Sequence, residues 1–294
     1  MLALGGRGWS ACMRMSPPAR WQQHSPACAT RTRASSSSSS EAAEDSPRAA
    51  LMCIGDEILS GSIADTNTPF LAKLLHSRGV DLIRCEFIPD QRDEIIQTAQ
   101  RLRQLVGPRG FVFSSGGIGP THDDVTYEAL AHAFGATLEL HQPTVEIMKV
   151  SYGKRGMDLN EARLRMATLP TPAEVLVTPG TWVPLVNLGG VYILPGIPKL
   201  FQQLITAHQE RFTGRAFVSG QLFSVPGESF IADQLTAVSK AHPKVSVGSY
   251  PNTDAKTEAH WKVRLAFSSR DQTALDAAVA ATREAIPHLL TAAP

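Results

Sequence analysis

From residue 49 onward the chain repeats one plan: a short apolar run, a turn carrying glycine or aspartate, then a segment whose apolar residues recur at helical spacing. Consecutive strands separated by a helix cannot pair through a hairpin. They lie parallel in one sheet, with crossover helices against its faces. Strands are expected at residues 50–54, 81–88, 111–113 and 191–194, and helices at 69–77, 93–106, 125–134 and 199–212. Asp65 or Thr66 is placed to cap the first of these helices and Asp90 the second, while Gly79 stands where a left-handed residue ends a helix. Residues 138–184 are rich in proline and turn formers around helical stretches at 144–152 and 160–168. Segments of that kind complete or cover a site. Beyond Gly214 the pattern becomes strands at 216–225, 244–249 and 260–267 with helices at 229–239 and 274–286, which predicts a small antiparallel sheet backed by two helices.

The first forty residues follow a different rule. Arg7, Arg14, Arg20, Arg31 and Arg33 occur with no acidic residue before Glu41, and residues 35–40 are all serine. An Arg-rich, Ser-rich, acid-poor start is the pattern of an organelle transit peptide, with the mitochondrion as first expectation and the chloroplast as second; a tail with no address is the alternative. The expected division is therefore a leader at 1–48, an α/β domain at 49–214 and a small α+β domain at 215–294. Residues 1–48 hold six of the 28 basic and three of the 27 acidic residues, leaving 22 against 24 and a net charge of −2. That balance gives no basis for nucleic-acid binding. Cys12, Cys28, Cys53 and Cys85 are too scattered for a disulfide framework or a zinc site. No apolar run approaches the ~18 residues that cross a bilayer, so no membrane partner is expected.

The chemistry concentrates between Ser114 and Thr126. Here Ser115, Gly116, Gly117, Gly119, Thr121, His122, Asp123 and Asp124 fill one strand-to-helix turn. Glycines let backbone amides approach an anion, and the helix N-terminus that follows favours negative charge. A carboxylate ~4 Å from a phosphate, however, costs about 4 kcal/mol at an effective dielectric of ~20. Two aspartates in a phosphate loop therefore imply a divalent cation such as Mg²⁺, for which Asp56, just after the first strand, is a further ligand candidate. The loop has neither the Gly-Lys-Ser/Thr of a P-loop nor Gly-x-Gly-x-x-Gly. Pro195 and Gly196, at the end of the strand at 191–194, are expected to face the same crevice.

The stretches Gly55-Asp56-Glu57-Ile58-Leu59-Ser60-Gly61, Asp65-Thr66-Asn67, Gly116 to Thr126 and Leu194-Pro195-Gly196-Ile197-Pro198 resemble the molybdopterin-binding (MoaB/Mog-type) domain. Gly117 to Thr126 and Gly248-Ser249-Tyr250-Pro251 resemble, more narrowly, the N-terminal half of eukaryotic FAD synthase. The segment from Arg163 to Pro170 resembles bacterial competence-damage-inducible protein A. The resemblance implies a three-layer α/β/α sandwich with a mostly parallel sheet, a homo-oligomer, and a small-molecule partner: FAD, ADP-ribose or molybdopterin. It implies metal-dependent hydrolysis of a nucleotide pyrophosphate, with Asp123, Asp124 and Asp90 catalytic, Asp56, Asp123 and Asp124 on the metal, and Ser115, Gly116, Gly117, Gly119, Thr121, Pro195, Gly196 and Tyr250 on the substrate. The FAD-forming half of FAD synthase has no counterpart here. Adenylylation of molybdopterin and non-catalytic nucleotide binding are the alternative functions.

Overall fold

The computed structural model describes residues 46–253 and 261–290. The expected leader lies outside them up to residue 45, as does the first residue of the strand expected at 260–267. The first domain runs β1 (Arg48–Ile54), α1 (Asp56–Leu59), α2 (Asn67–Ser77), β2 (Asp81–Ile88), α3 (Arg92–Val106), β3 (Phe111–Ser115), α4 (Thr126–Ala133), β4 (Thr137–Leu140), α5 (Gln142–Gly153), α6 (Glu161–Arg165), β5 (Thr168–Thr171), β6 (Glu174–Leu176), β7 (Leu185–Leu188), β8 (Val191–Leu194) and α7 (Pro198–Ala207). The second comprises β9 (Val218–Ser224), α8 (Glu228–Ala241), β10 (Ser246–Pro251), β11 (Val263–Ser269), α9 (Gln272–Ala285) and β12 (Leu289–Leu290).

Six strands form one sheet in the order β2-β1-β3-β8-β7-β6. The four from β2 to β8 are parallel, while β7 and β6 turn back antiparallel. Because β1 is covered on both faces, all of Ala49 to Ile54 is buried and the strand reads as an unbroken apolar run. The chain first moves outward from β1 to β2 and then back across β1 to β3. Right-handed crossovers in opposite directions put α2 on one face and α3 on the other. The helices accordingly pack in pairs, α2 with α7 and α3 with α4, giving the three layers expected. The direction reverses between β1 and β3, and in an open sheet that is where a ligand crevice opens beyond the strand ends. At the other side of the sheet a cluster of Phe111, Phe113, Tyr192 and Phe212 fills the core, with Tyr192 and Phe212 centroids 4.9 Å apart at 85°.

The segment at 138–184 is more regular than its composition implies. It holds β5, β6 and nearly all of β4, and the helix expected at 160–168 stops at Arg165, because residues 168–171 pair with β4. Such strands of three or four residues, interrupted by proline, leave no periodic signal.

In the second domain the sheet order is β10-β11-β9-β12, wholly antiparallel, with Leu222, Leu265, Phe267, Leu275 and Ala278 in its own core. Asp271 caps α9 by accepting from the Thr273 and Ala274 amides, at 3.0 and 3.2 Å. The join to the first domain rests on Arg270. Its guanidinium donates to Asp81 at 2.9 Å, to the Gly79 and Arg215 carbonyls, and lies 4.1 Å from the Phe217 ring centroid. Phe217 stacks in turn on His76 at 4.3 Å. Truncating this largely buried cation strands two carbonyls and a carboxylate. Arg270→Ala is expected to cost about 2–3 kcal/mol and to expose residues 212–217 to limited proteolysis, checked by chemical denaturation and cleavage mapping.

Candidate active site

Three strand ends meet at the reversal point. The Gly116 amide donates to Leu194 O at 3.1 Å, and a Cβ at Gly116, which sits at φ 115°, would stand 2.1 Å from Ile54 O. At Gly196 a Cβ would lie 3.4 Å from the Gly116 Cα. No side chain fits between β1 and β3 at Gly116, so that glycine is required by close backbone approach, while at Gly196 a Cβ would make an ordinary contact. Asn67, at the start of α2, fastens the same point: its Nδ2 donates to Ser115 Oγ and Gly196 O, both at 2.9 Å. Asp65 caps that helix, accepting from the Asn67 and Thr68 amides at 3.0 and 3.1 Å.

Above this junction is a cleft of about 910 Å³. Its floor and one wall include Ser115, Gly116, Gly117, Gly119, Asp90, Asp123, Asp124, Pro195 and Gly196. The middle segment adds Tyr152, Arg155, Met166, Trp182 and Val183 to the lining. The sequence marked the segment at 138–184 as one that completes or covers a site but singled out none of these five as site residues. Asn67 Oδ1 and Tyr127 Oη, both on cleft-lining residues, are buried with no hydrogen-bond partner. An unpaired buried polar atom costs about 1–3 kcal/mol, and burial pushes the Tyr127 phenol above its ordinary range.

The acids divide into two roles. Asp124 accepts from the Gly119 amide at 2.6 Å, the Thr121 amide at 2.8 Å and the Thr121 hydroxyl. It thus occupies the Gly119 amide, one of the loop amides that the sequence assigned to a phosphate, and one of its four lone-pair sites remains. These bonds bear on three expectations. Asp124 shapes the loop; the Thr121 hydroxyl is spent on Asp124; and the amides of Gly116 and Gly119 are engaged internally, leaving that of Gly117, at φ 67°, as the cradle glycine not so spent.

Asp90 departs from the capping role its position before α3 suggested. Gln91 is the capping residue of α3, without a side-chain bond, and Asp90 Oδ2 instead accepts from the Asp56 amide at 3.0 Å. Partial burial raises the Asp90 carboxyl above its usual value, against the lowering by that amide, and the nearby carboxylates of Glu57, Asp56 and Asp123 raise it further. Asp56 is exposed and sits beside the cleft, whereas Glu57 lines it. Tyr250 is not brought to the cleft. It lies on β10, the outer strand of the second sheet, with the Arg264 guanidinium 4.8 Å from its ring centroid. His122 is almost fully exposed, 3.9 Å from Asp123. Among the described residues no group of three or more His, Cys, Asp or Glu is placed so as to hold a metal ion.

Cys53 also lines the cleft, and burial pushes its thiol up to about 12; Cys85 is raised by burial too. Since the thiolate is the reactive form, iodoacetamide at pH 8 is expected to modify Cys53 only after unfolding, as read by peptide mapping.

Comparison with known proteins gives two matches along the chain: "probable molybdopterin binding domain" over residues 50–211 and "FAD synthase, middle domain" over 216–293. A CinA-like protein of Myxococcus xanthus is 34% identical over 250 residues, covering 80% of this chain and 57% of that protein. A protein named probable FAD synthase from Caenorhabditis elegans is 32% identical over 264 residues, covering 80% of this chain and 49% of that one. The chain thus spans about half the length of these two relatives. The crystal structure of CinA from Thermoplasma acidophilum, described as of unknown function, aligns with 56% of this chain and 99% of its own, at 31% identity and a TM-score of 0.51. With its parallel sheet, its glycine junction and a matched domain model over more than half its length, the chain belongs to the molybdopterin-binding (MoaB/Mog-type) domain family, here followed by a FAD synthase middle domain.

Proposed function

We propose that this protein hydrolyses the pyrophosphate of a nucleotide of the FAD or ADP-ribose class, using a divalent metal. The observation that carries the reading is a cleft of about 910 Å³ lined by the glycine loop together with Glu57, Asp90 and Asp123, with Asp56 bonded through its amide to Asp90. The likeness to a FAD synthase middle domain supports the substrate class. Mutually repelling acids fit a hard cation that shares its coordination with phosphate oxygens and water, a mode that needs one or two carboxylates and no complete cage. Asp123 and Asp56 would hold that ion, leaving Asp90 beside them as an unligated carboxylate. Asp124, expected as a ligand and catalytic acid, acts by keeping the loop in shape. When bound, the metal neutralises phosphate charge and lowers the pKa of a water. The Gly117 amide steadies a phosphate oxygen, and Asp90, with its raised carboxyl, takes the proton as the water oxygen bonds to phosphorus. The bridging P–O bond breaks and the second phosphate leaves with the electron pair, so FAD gives FMN and AMP.

The test is incubation of the full chain with FAD and ADP-ribose across Mg²⁺, Mn²⁺, Co²⁺ and Zn²⁺, products resolved by chromatography. Asp90→Asn is expected to lower the rate about 10²- to 10⁴-fold; absence of cleavage with every metal sinks the proposal. The family description favours one second reading, binding and adenylylation of molybdopterin, which tight molybdopterin binding without FAD turnover would establish. Nucleotide binding without turnover would indicate a regulatory module. The arginine- and serine-rich start extends the proposal to an organelle address, mitochondrial first. A fluorescent protein fused to residues 1–48 that stays in the cytosol would remove that part.

A further inference from the structure

The cleft, at about 910 Å³, is far larger than a bare pyrophosphate, and the wall residues that the middle segment contributes include no acid. Trp182 stands on that wall, partly exposed, in the connection between β6 and β7. Its setting is braced from several sides. Part of the indole packs against the main core and part against the small cluster of Val145, Met148 and Ala167. The Tyr152 ring lies beside it, centroids 5.9 Å apart at 47°, and Arg163 covers Tyr152 at 4.9 Å. The loop is tied down by the Val183 amide donating to Thr181 Oγ1 at 3.1 Å and by Gln203 Nε2 donating to Pro179 O at 3.0 Å. A large aromatic face, held in place and open to a ligand cleft, is pre-organised for stacking and gives up little conformational freedom on binding.

We infer that Trp182 is the platform for a planar aromatic ring of the ligand, so that the site takes pyrophosphates bearing a nucleobase or flavin ring and discriminates against ringless ones. The inference rests on the cleft being the nucleotide site and deepens that reading. In the bound state the phosphates lie over Gly117 and the acids, while the ring lies on the wall formed by the middle segment. Base–aromatic stacking is worth between about fivefold and a hundredfold in affinity.

The experiment is calorimetry of the full chain with Mg²⁺ and three probes: ADP, FMN and inorganic pyrophosphate. Trp182→Ala is expected to weaken ADP, FMN or both by about 5- to 100-fold and to leave pyrophosphate within twofold. Loss for ADP alone assigns the adenine ring to Trp182, and loss for FMN alone assigns the isoalloxazine. Unchanged binding of both ring-bearing probes overturns the inference, as does an equal loss for pyrophosphate, which marks a structural effect. Binding of none of the three overturns it together with the nucleotide reading of the cleft. Should Trp182→Ala not fold, Trp182→Phe decides by fluorescence. The inference requires quenching by ADP or FMN in the wild type that is absent from this variant. Ring-dependent binding without any cleavage of FAD would end the hydrolase reading and leave this one standing.

Discussion

Asp124→Asn is expected to reduce pyrophosphate hydrolysis about 10²- to 10³-fold without recovery at high metal concentration. The carboxylate receives three hydrogen bonds from its own loop, two of them backbone amides of Gly119 and Thr121. An amide side chain replaces one acceptor oxygen with a donor, so at least one of these N–H groups faces another N–H. Bonds to a charged acceptor contribute about 1.5–3 kcal/mol each. The loop that positions Asp123 then opens, and misplacement of about 1 Å in an active site costs on the order of a hundredfold in rate. A residue that only ligates metal gives a different result, since raising Mg²⁺ restores its activity. The two outcomes are separated by rate measurements over a metal titration, with hydrogen exchange at Gly117 to Thr121 as the structural readout. Faster exchange there, with the rest of the sheet unchanged, is the expected pattern.

Gly116→Ala carries the second large effect, and it falls on folding. The new Cβ would stand 2.1 Å from Ile54 O in a residue held at φ 115°. Neither atom can yield cheaply, because Ile54 O belongs to the central strand and the Gly116 amide is bonded to Leu194 O. Left-handed strain of about 1–3 kcal/mol adds to an overpacking cost of similar size, giving a loss of about 3–5 kcal/mol. Urea denaturation followed by circular dichroism measures it. Gly135→Ala provides the contrast: at φ 68° it meets no atom within 4 Å, so only the conformational cost of about 1 kcal/mol remains.

Much of the fold is written in β1, β3 and β8, whose buried parallel strands are mainly apolar runs, and in the half-exposed edge strand β2, each strand being followed by a helix long enough to show its stripe. Residues 81–88 and 191–194 coincide with the strands observed. The antiparallel extension β6–β7 was not legible, since strands of three or four residues beside Pro184 and Gly189-Gly190 have the composition of loops. The site was readable as a place and less so in its wiring. Glycines and acids at strand ends point to a crevice, yet sequence cannot tell a carboxylate that serves a ligand from one that serves its own backbone. Asp90 and Asp124 show both directions of that ambiguity: Asp90 looked like a cap and faces the cleft, and Asp124 looked like a ligand and holds the loop. Trp182 was not singled out because a single cleft-lining aromatic residue has no spacing to announce it.

The central claim is that water attacks phosphorus at the acids around Asp90. Its most direct measurement is FAD hydrolysis by the full chain in ¹⁸O-labelled water, with mass spectrometry of the FMN and AMP formed. The account predicts one label per turnover, in a product phosphate, appearing only with divalent metal and falling at least a hundredfold in Asp90→Asn. Unlabelled phosphates, cleavage indifferent to Asp90, or no cleavage with any metal would contradict it.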